Sequence, residues 1–439
     1  MKRIIITFFF VWVAINSYAQ KVFNTFEEFM AEPAKMAGEY YIDSFEGPQT
    51  PSPKGYKPVY ISHFGRHGAR YALGDDFYER VHNFLVKAHS DEALTEVGED
   101  LYRRYEAFYP FVKYRGGDLT MLGQRQHREI ARKMYLSYPS VFKGKTFAVA
   151  TSTLVPRVIM SMAAFMDELD DLDKSFECCM DTGRSYLDVL DPDTEDAPNF
   201  VPVSPMTQEA KDSYSALLSE LIDIEGIASR FFREYDYVEK NYGSWRFISN
   251  LRTLIISMPC LDLPSLDSQP EERFDHFLTK EELFNLWEMR NYGGYVSWGR
   301  SPYNDGSFLD RIHYLVEDIV SWADEDMLSG KVNLRLRFGH DSGIFALAGR
   351  LGINNFGAVI EDPHDVKNIW RCTEVPMASN IQFIFYRRKA ALRRPGSTLE
   401  DDILFKVLMN GREATLPMEA VEGPYYSWNE FKKTLSLSK

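Results

Sequence analysis

Three stretches of the chain repeat one order: a short apolar and β-branched run, a turn rich in glycine or polar residues, then apolar residues spaced three and four apart. "PVYISHF" at 58–64 predicts a buried strand, and "DDFYERVHNFLVKAHS" at 75–90 has the spacing of an amphipathic helix. "KTFAVATST" at 145–153 and "VPRVIMSMAAFMDEL" at 155–169 repeat the pair, with Pro156 suited to a first helical turn. "VNLRLRF" at 332–338 alternates as a strand does, Gly339 breaks it, and "SGIFALAGRLG" at 342–352 continues as a helix. Strands that alternate with helices predict an α/β fold, a mostly parallel sheet flanked by helices, whose ligands bind beyond the carboxyl ends of the strands.

Between the second and third units the pattern changes. Residues 215–235 and 279–294 carry helical spacing and strand candidates are few, which predicts a smaller, all-α cap over 167–330. The core is then expected to be 20–166 with 331–439, completed by strand-like runs at 379–388 and 403–417. The proline-rich segment 48–58 reads as an exposed lead-in.

Composition narrows the setting. The first residues give a basic start at Lys2 and Arg3, an apolar run to Ile15 and a small-x-small site at Ser17-Tyr18-Ala19. This is the pattern of a signal peptide over 1–19, too short to span a membrane, and it predicts a periplasmic or secreted protein without stable membrane insertion. Loss of Lys2 and Arg3 takes the formal charge of the 439-residue chain from −14 to −16, which argues against a nucleic-acid partner. Four cysteines are too sparse for a disulfide-dependent scaffold; Cys260 could pair with Cys178 or Cys179, or all could be free thiols.

Against that acidic background, cations gather at the predicted strand ends. "GRHGAR" places Arg66, His67 and Arg70 after the first strand, Arg157 begins the second helix, and His340 and Asp341 occupy the third turn. Guanidinium forks match phosphate oxygens, and helix N-termini add backbone donors, so Arg66, Arg70 and Arg157 form a candidate phosphoryl clamp. Gly65 and Gly68 are expected to let the backbone approach the ligand. His67, kept neutral by the arginines, is the candidate nucleophile, its second ring nitrogen held by a partner that the fold must supply. Asp341 is the candidate proton donor, its pKa expected to be raised beside a phosphate dianion so that activity declines above neutral pH. No metal or other cofactor is expected, since fixed positive charge serves the transferred phosphoryl group. A zinc site at His63 and His67 is disfavoured by the intervening glycine and the lack of an H-E-x-x-H pattern.

Arg-His-Gly-x-Arg arises by chance in a chain of this length only on the order of a few times per thousand. Together with "STLVPRVIMS" around Arg157 and the His340-Asp341 pair, it resembles the histidine phosphatase superfamily, in its acid phosphatase and phytase branch that includes multiple inositol polyphosphate phosphatases. Residues 119–142, 378–386 and 407–417 extend the similarity over roughly 59–417. The resemblance implies a phosphohistidine intermediate at His67, phosphate binding by Arg66, Arg70, Arg157 and His340, and proton donation by Asp341. Two positions depart from the pattern: Ala72 stands where many members have proline, and His340-Asp341-Ser342 where inositol polyphosphate phosphatases often carry His-Ala-Glu.

The expected function is therefore an exported histidine acid phosphatase that hydrolyses small phosphate monoesters, with inositol polyphosphates a candidate substrate. Two other classes stand against it. A phosphotransferase or mutase of the superfamily usually lacks the His-Asp pair, and a catalytically inactive protein that binds phosphorylated ligands needs neither His67 nor Asp341.

Overall fold

The computed structural model describes residues 23–437 apart from residues 75, 145, 201, 203–205, 262, 264–272, 305 and 390–402. The expected signal peptide, 1–19, lies outside the described residues. The run at 58–64 is the centre of β1 (Tyr56–Arg66). The second and third units give β2 (Phe147–Ser152) and β4 (Leu334–Gly339), each followed by its helix, Pro156–Leu172 and Asp341–Leu351. Further along come β5 (Asn380–Arg388), β6 (Ile403–Met409), β7 (Arg412–Ala414) and β8 (Tyr426–Ser427).

With β3 (Glu177–Thr182), these strands form an eight-stranded sheet in the order β3-β2-β4-β1-β5-β6-β7, β8 pairing with β6. The half made by the three units is parallel. From β5 onward every pairing is antiparallel, so the sheet is mixed. The 403–417 run, expected as one strand, folds back as a hairpin at Asn410-Gly411, both with positive φ. Glycine and asparagine are the residues that tolerate that left-handed turn.

Alternation along β1 sends Ile61 and His63 to one face and Tyr60 and Phe64 to the other. The first face packs against Ile130, Met134, Phe165 and Phe338, under the helices Met121–Ser137 and Pro156–Leu172. On the second face the core runs without a break from Phe385 and Phe405, through Phe345 on the Asp341–Leu351 helix, to Leu251 and Trp287 in the helical layer. Each such side chain contributes about 1.5–3 kcal/mol by leaving water.

The cap boundaries differ from the expected 167–330. β3 belongs to the sheet as its exposed edge, and the helix His313–Ser329 packs on the sheet, its Asp318 and Asp326 bonded to Arg337 and Arg335 of β4 at 2.6 and 2.8 Å. At the other end, the 3-10 segment Pro33–Tyr40, expected with the core, lies against the cap helices Ser244–Leu261 and Lys280–Trp298. Charged pairs, which hydrophobic periodicity does not register, hold the helix His313–Ser329 to the sheet and the Pro33–Tyr40 segment to the cap. Among the described residues no helix is long and apolar enough to cross a membrane.

Candidate active site

Strand register brings the three motifs to one level. Arg66 of β1 pairs with Gly339 of β4, and Ser152 of β2 with Phe338, so β1, β4 and β2 end side by side. Two bonds continue the ladder past the strand ends: His67 N donates to the Gly339 carbonyl at 3.1 Å, and Thr153 N to the Phe338 carbonyl at 3.3 Å. His67, His340 and the start of the Pro156–Leu172 helix are therefore neighbours, with the two imidazole centroids 5.7 Å apart.

The loop after β1 is clamped to two helices. Gly68 N donates to Ser161 Oγ at 3.1 Å, and that hydroxyl donates to the Arg157 carbonyl at 2.8 Å, tying the loop to the helix turn that carries Arg157. Ala69 N donates to Gln126 Oε1 at 2.8 Å, and Thr120 N donates back to Ala69 O at 2.9 Å. The glycines serve this packing rather than the approach of a ligand. A Cβ on Gly68 would lie 2.4 Å from the Gly123 carbonyl oxygen, and one on Gly65 would lie 2.5 Å from the His63 ring.

The partner of the second His67 nitrogen is the Gly68 carbonyl, 2.9 Å from Nδ1. A carbonyl only accepts, so Nδ1 carries the proton and the lone pair is at Nε2. Burial, then the charges of Arg66, Arg70 and Arg157, holds the imidazole pKa well below its ordinary value and keeps the ring neutral.

All three arginines converge here. Arg66 is fully buried and donates through Nη1 to the carbonyls of Glu39 (2.7 Å) and Val375 (3.0 Å), while its Nη2 stands 2.8 Å from Asp341 Oδ2. Arg70 donates to the Tyr40 hydroxyl at 2.8 Å and lies over that ring. The Nε atoms of Arg66, Arg70 and Arg157 are buried without a hydrogen-bond partner. Burial, then the neighbouring Arg70, brings the Arg157 guanidinium down to about 10.

Asp341 opens the Asp341–Leu351 helix with His340 as its N-cap residue. In the protein alone its carboxyl is not held in the acid form. Burial pushes its pKa up, but Arg66 and Arg70 outweigh burial and bring it to about 2. The ion pair with Arg66, invisible to sequence spacing, sets this value in the protein alone; the expected raised value is for a carboxyl beside a phosphate dianion. His340 is lowered to about 4 by burial and by Arg157. His63 stays apart from the site, packed between Phe165 and Phe338 on the sheet face. Among the described residues no group of three His, Cys, Asp or Glu side chains is arranged to hold a metal ion. The four cysteines are unpaired.

Beside Arg70 and Asp341 opens a cleft of about 510 Å³ whose opposite wall sequence reasoning missed. It includes Glu39, Tyr40, Arg80, Arg252, Arg290 and Trp298. Arg252, on the cap helix Ser244–Leu261, lines it, whereas Arg230 pairs with Glu282 at 3.0 Å. Trp298, the last residue of the cap helix Lys280–Trp298, reaches the cleft and stacks under Arg290. Glu39 binds Arg290 at 2.5 Å, and its backbone carbonyl holds Arg66, so the Pro33–Tyr40 segment links the two walls. A charged Glu-Tyr pair before the first predicted strand was the one available sign of it.

No model of a known protein family matches the sequence, and no curated protein does. Solved structures share the fold. The multiple inositol polyphosphate phosphatase of Bifidobacterium longum, in complex with phosphate, superposes with a TM-score of 0.71 at 17% identity, over 92% of this chain and 98% of that one. The phytase of D. castellii gives 0.63 at 14% identity over 95% and 90%, and the Hafnia alvei phytase with tartrate 0.50 at 12% over 88% and 98%.

Proposed function

We propose that this chain is an exported histidine acid phosphatase, periplasmic or secreted, that acts on small phosphate monoesters and on inositol polyphosphates in particular. The observation that carries the reading is the state of His67: a neutral imidazole with its proton committed to the Gly68 carbonyl, its other nitrogen free, among three arginines with buried donors to spare. A fixed tautomer with an available lone pair is what a nucleophile requires, and a site that only binds phosphate has no use for it. The likeness of fold to histidine acid phosphatases supports the same reading.

In the first step the phosphoryl group is clamped by Arg66, Arg70 and Arg157, and His67 Nε2 attacks phosphorus as the bond to the leaving oxygen breaks. Asp341 gives its proton to that oxygen and an alcohol departs. In the second step water attacks the phosphohistidine, the N–P bond breaks, and Asp341 takes the water's proton. Asp341 needs to enter this cycle protonated. A phosphate dianion on Arg66 screens the charge that holds the carboxyl at about 2, and so raises its pKa when substrate binds.

Inositol polyphosphates are supported by Arg80, Arg252 and Arg290 in the lining of the cleft, available to further phosphate groups, and by the neighbour of this fold solved with inositol hexasulfate. The test incubates the purified protein, with divalent metals chelated, with inositol hexakisphosphate, a sugar phosphate and a chromogenic phosphate ester. Phosphate release is expected, with inositol hexakisphosphate preferred, falling at least about 1,000-fold in His67→Ala and about 100-fold or more in Asp341→Asn. Release that persists in His67→Ala, or that requires added metal, overturns the mechanism.

A further inference from the structure

Asp191 belongs to none of the motifs and lies within the expected cap, yet it faces the phosphate pocket's second histidine. It follows the short helix Leu187–Leu190, and its Oδ2 lies 3.3 Å from His340 Nε2, with Thr153 Oγ1 3.4 Å from the same nitrogen. The approach depends on Gly339. A Cβ there would come within 2.8 Å of the Leu190 carbonyl oxygen and 3.1 Å of the Phe64 ring, so only glycine leaves room for the segment that delivers Asp191. Asp193 pins the same segment through Arg311 at 3.2 Å and a side-chain hydrogen bond with Ser342. The other nitrogen of His340, Nδ1, forms no hydrogen bond among the described residues and is left for a ligand.

We propose that Asp191 is a positioning residue that shares one proton with His340 and passes it over when a phosphoryl dianion arrives, so that the dianion meets an imidazolium. The inference rests on the phosphatase reading above. In the transfer the Asp191 O–H bond breaks and an N–H bond forms at His340 Nε2, leaving a carboxylate behind the ring and an N–H at Nδ1 toward the phosphate. No proton enters or leaves, so the site gains a cation beside the dianion and sends the negative charge to the far side of the ring.

The charges around the pair suit it. Arg66 and Arg70 beyond β1, Arg157 on the neighbouring helix, Asp341 on the following one, His67 and Asp193 all face it. Burial, with Asp193 adding to it, lifts Asp191 to about 7, while burial and Arg157 lower His340 to about 4. Between those values the pair holds one proton in addition to the one on neutral imidazole. Above about pH 7 that proton is lost, and binding of a dianion is expected to weaken.

The probe is inorganic phosphate as a competitive inhibitor, followed from pH 5 to 8.5 in the intact protein. In the wild type the inhibition constant is expected to rise above pH 7. In Asp191→Asn it should be about tenfold weaker at pH 5.5 and lose its inflection near 7. Asp191→Glu should restore an inflection at a displaced pH. Unfolding midpoints of each variant report folding; if the asparagine variant does not fold, the glutamate variant decides. An inflection near 7 that survives unchanged in either variant overturns the proposal while phosphate release by the wild type stands. A wild type that neither releases nor binds phosphate overturns the phosphatase reading itself.

Discussion

The two walls of the cleft are held by different forces. On the sheet side, Arg66, His67, His340 and the start of the Arg157 helix are set by backbone pairing, with Arg66 opposite Gly339 and Ser152 opposite Phe338. On the cap side, Arg252 and Arg290 come from two helices: Arg290 pairs with the Glu39 carboxylate at 2.5 Å, and Arg252 donates to the Met36 carbonyl at 3.2 Å near the same carboxylate. A ladder fixes position through many cooperative bonds, whereas a buried ion pair gives little net stability and punishes loss of one partner. The first wall is built to hold reacting atoms in register, and the second to hold charge near a ligand of variable shape.

That contrast predicts unequal costs of removing an arginine from each wall. Arg66→Ala takes away a fully buried donor of the proposed phosphoryl clamp and should lower kcat/KM on any phosphate ester about 1,000-fold. Arg252→Ala should cost about tenfold, seen in KM for inositol hexakisphosphate and hardly at all for a simple aryl phosphate. Equal losses on both substrates from the two variants would erase the distinction.

A smaller effect follows from the glycines of each wall. Gly68→Ala forces a Cβ within 2.4 Å of the Gly123 backbone, which has no soft atom to yield, so the loop that carries His67 must shift. A displacement on the order of 1 Å costs about 100-fold in kcat. Gly293→Ala, in the cap helix Lys280–Trp298, meets only the Tyr214 ring at 3.2 Å, and a side chain there has room to rotate. Its activity should stay within about threefold of wild type. Steady-state kinetics on the two variants, beside their unfolding midpoints, decides the matter.

The same division explains what could be read before any coordinates. The sheet wall was legible because each of its motifs directly follows a strand, and strand ends in a parallel sheet meet at one edge whatever lies between them in sequence. The six candidate residues came together for that reason. Glu39, Arg290 and Asp191 were not legible. Each is a common charged residue in a segment without strand periodicity, and each acquires its role from a partner between 149 and 251 residues away. The mixed sheet escaped for a related reason: the direction of β5 depends on where the chain crosses after the third unit, which alternation within a strand does not encode. The pKa of Asp341 in the protein alone was not legible, because the guanidinium 2.8 Å away comes from a different strand end; the raised value expected beside a phosphate dianion concerns the bound state.

Asp341 also gives the smallest effect, and one that separates the walls by pH. Its folded-state pKa of about 2 lies below the ordinary carboxylate value near 4, so it contributes stability above pH 4 that is lost as pH falls toward 2. The stability difference between wild type and Asp341→Asn, from denaturant unfolding, should be about 2 kcal/mol at pH 5 and vanish near pH 2. Glu39 is lowered too: burial raises it, and Arg290 and Arg252 more than offset that. Glu39→Gln should therefore lose its own stability difference on acidification. Inorganic phosphate tells the two apart, because an anion on Arg66 competes with Asp341 for the same guanidinium, whereas Glu39 holds Arg290 on the opposite wall. At pH 5, saturating phosphate should shrink the Asp341→Asn difference by at least half and leave that of Glu39→Gln in place. If phosphate shrinks both equally, the walls act as one electrostatic unit and the division between them fails.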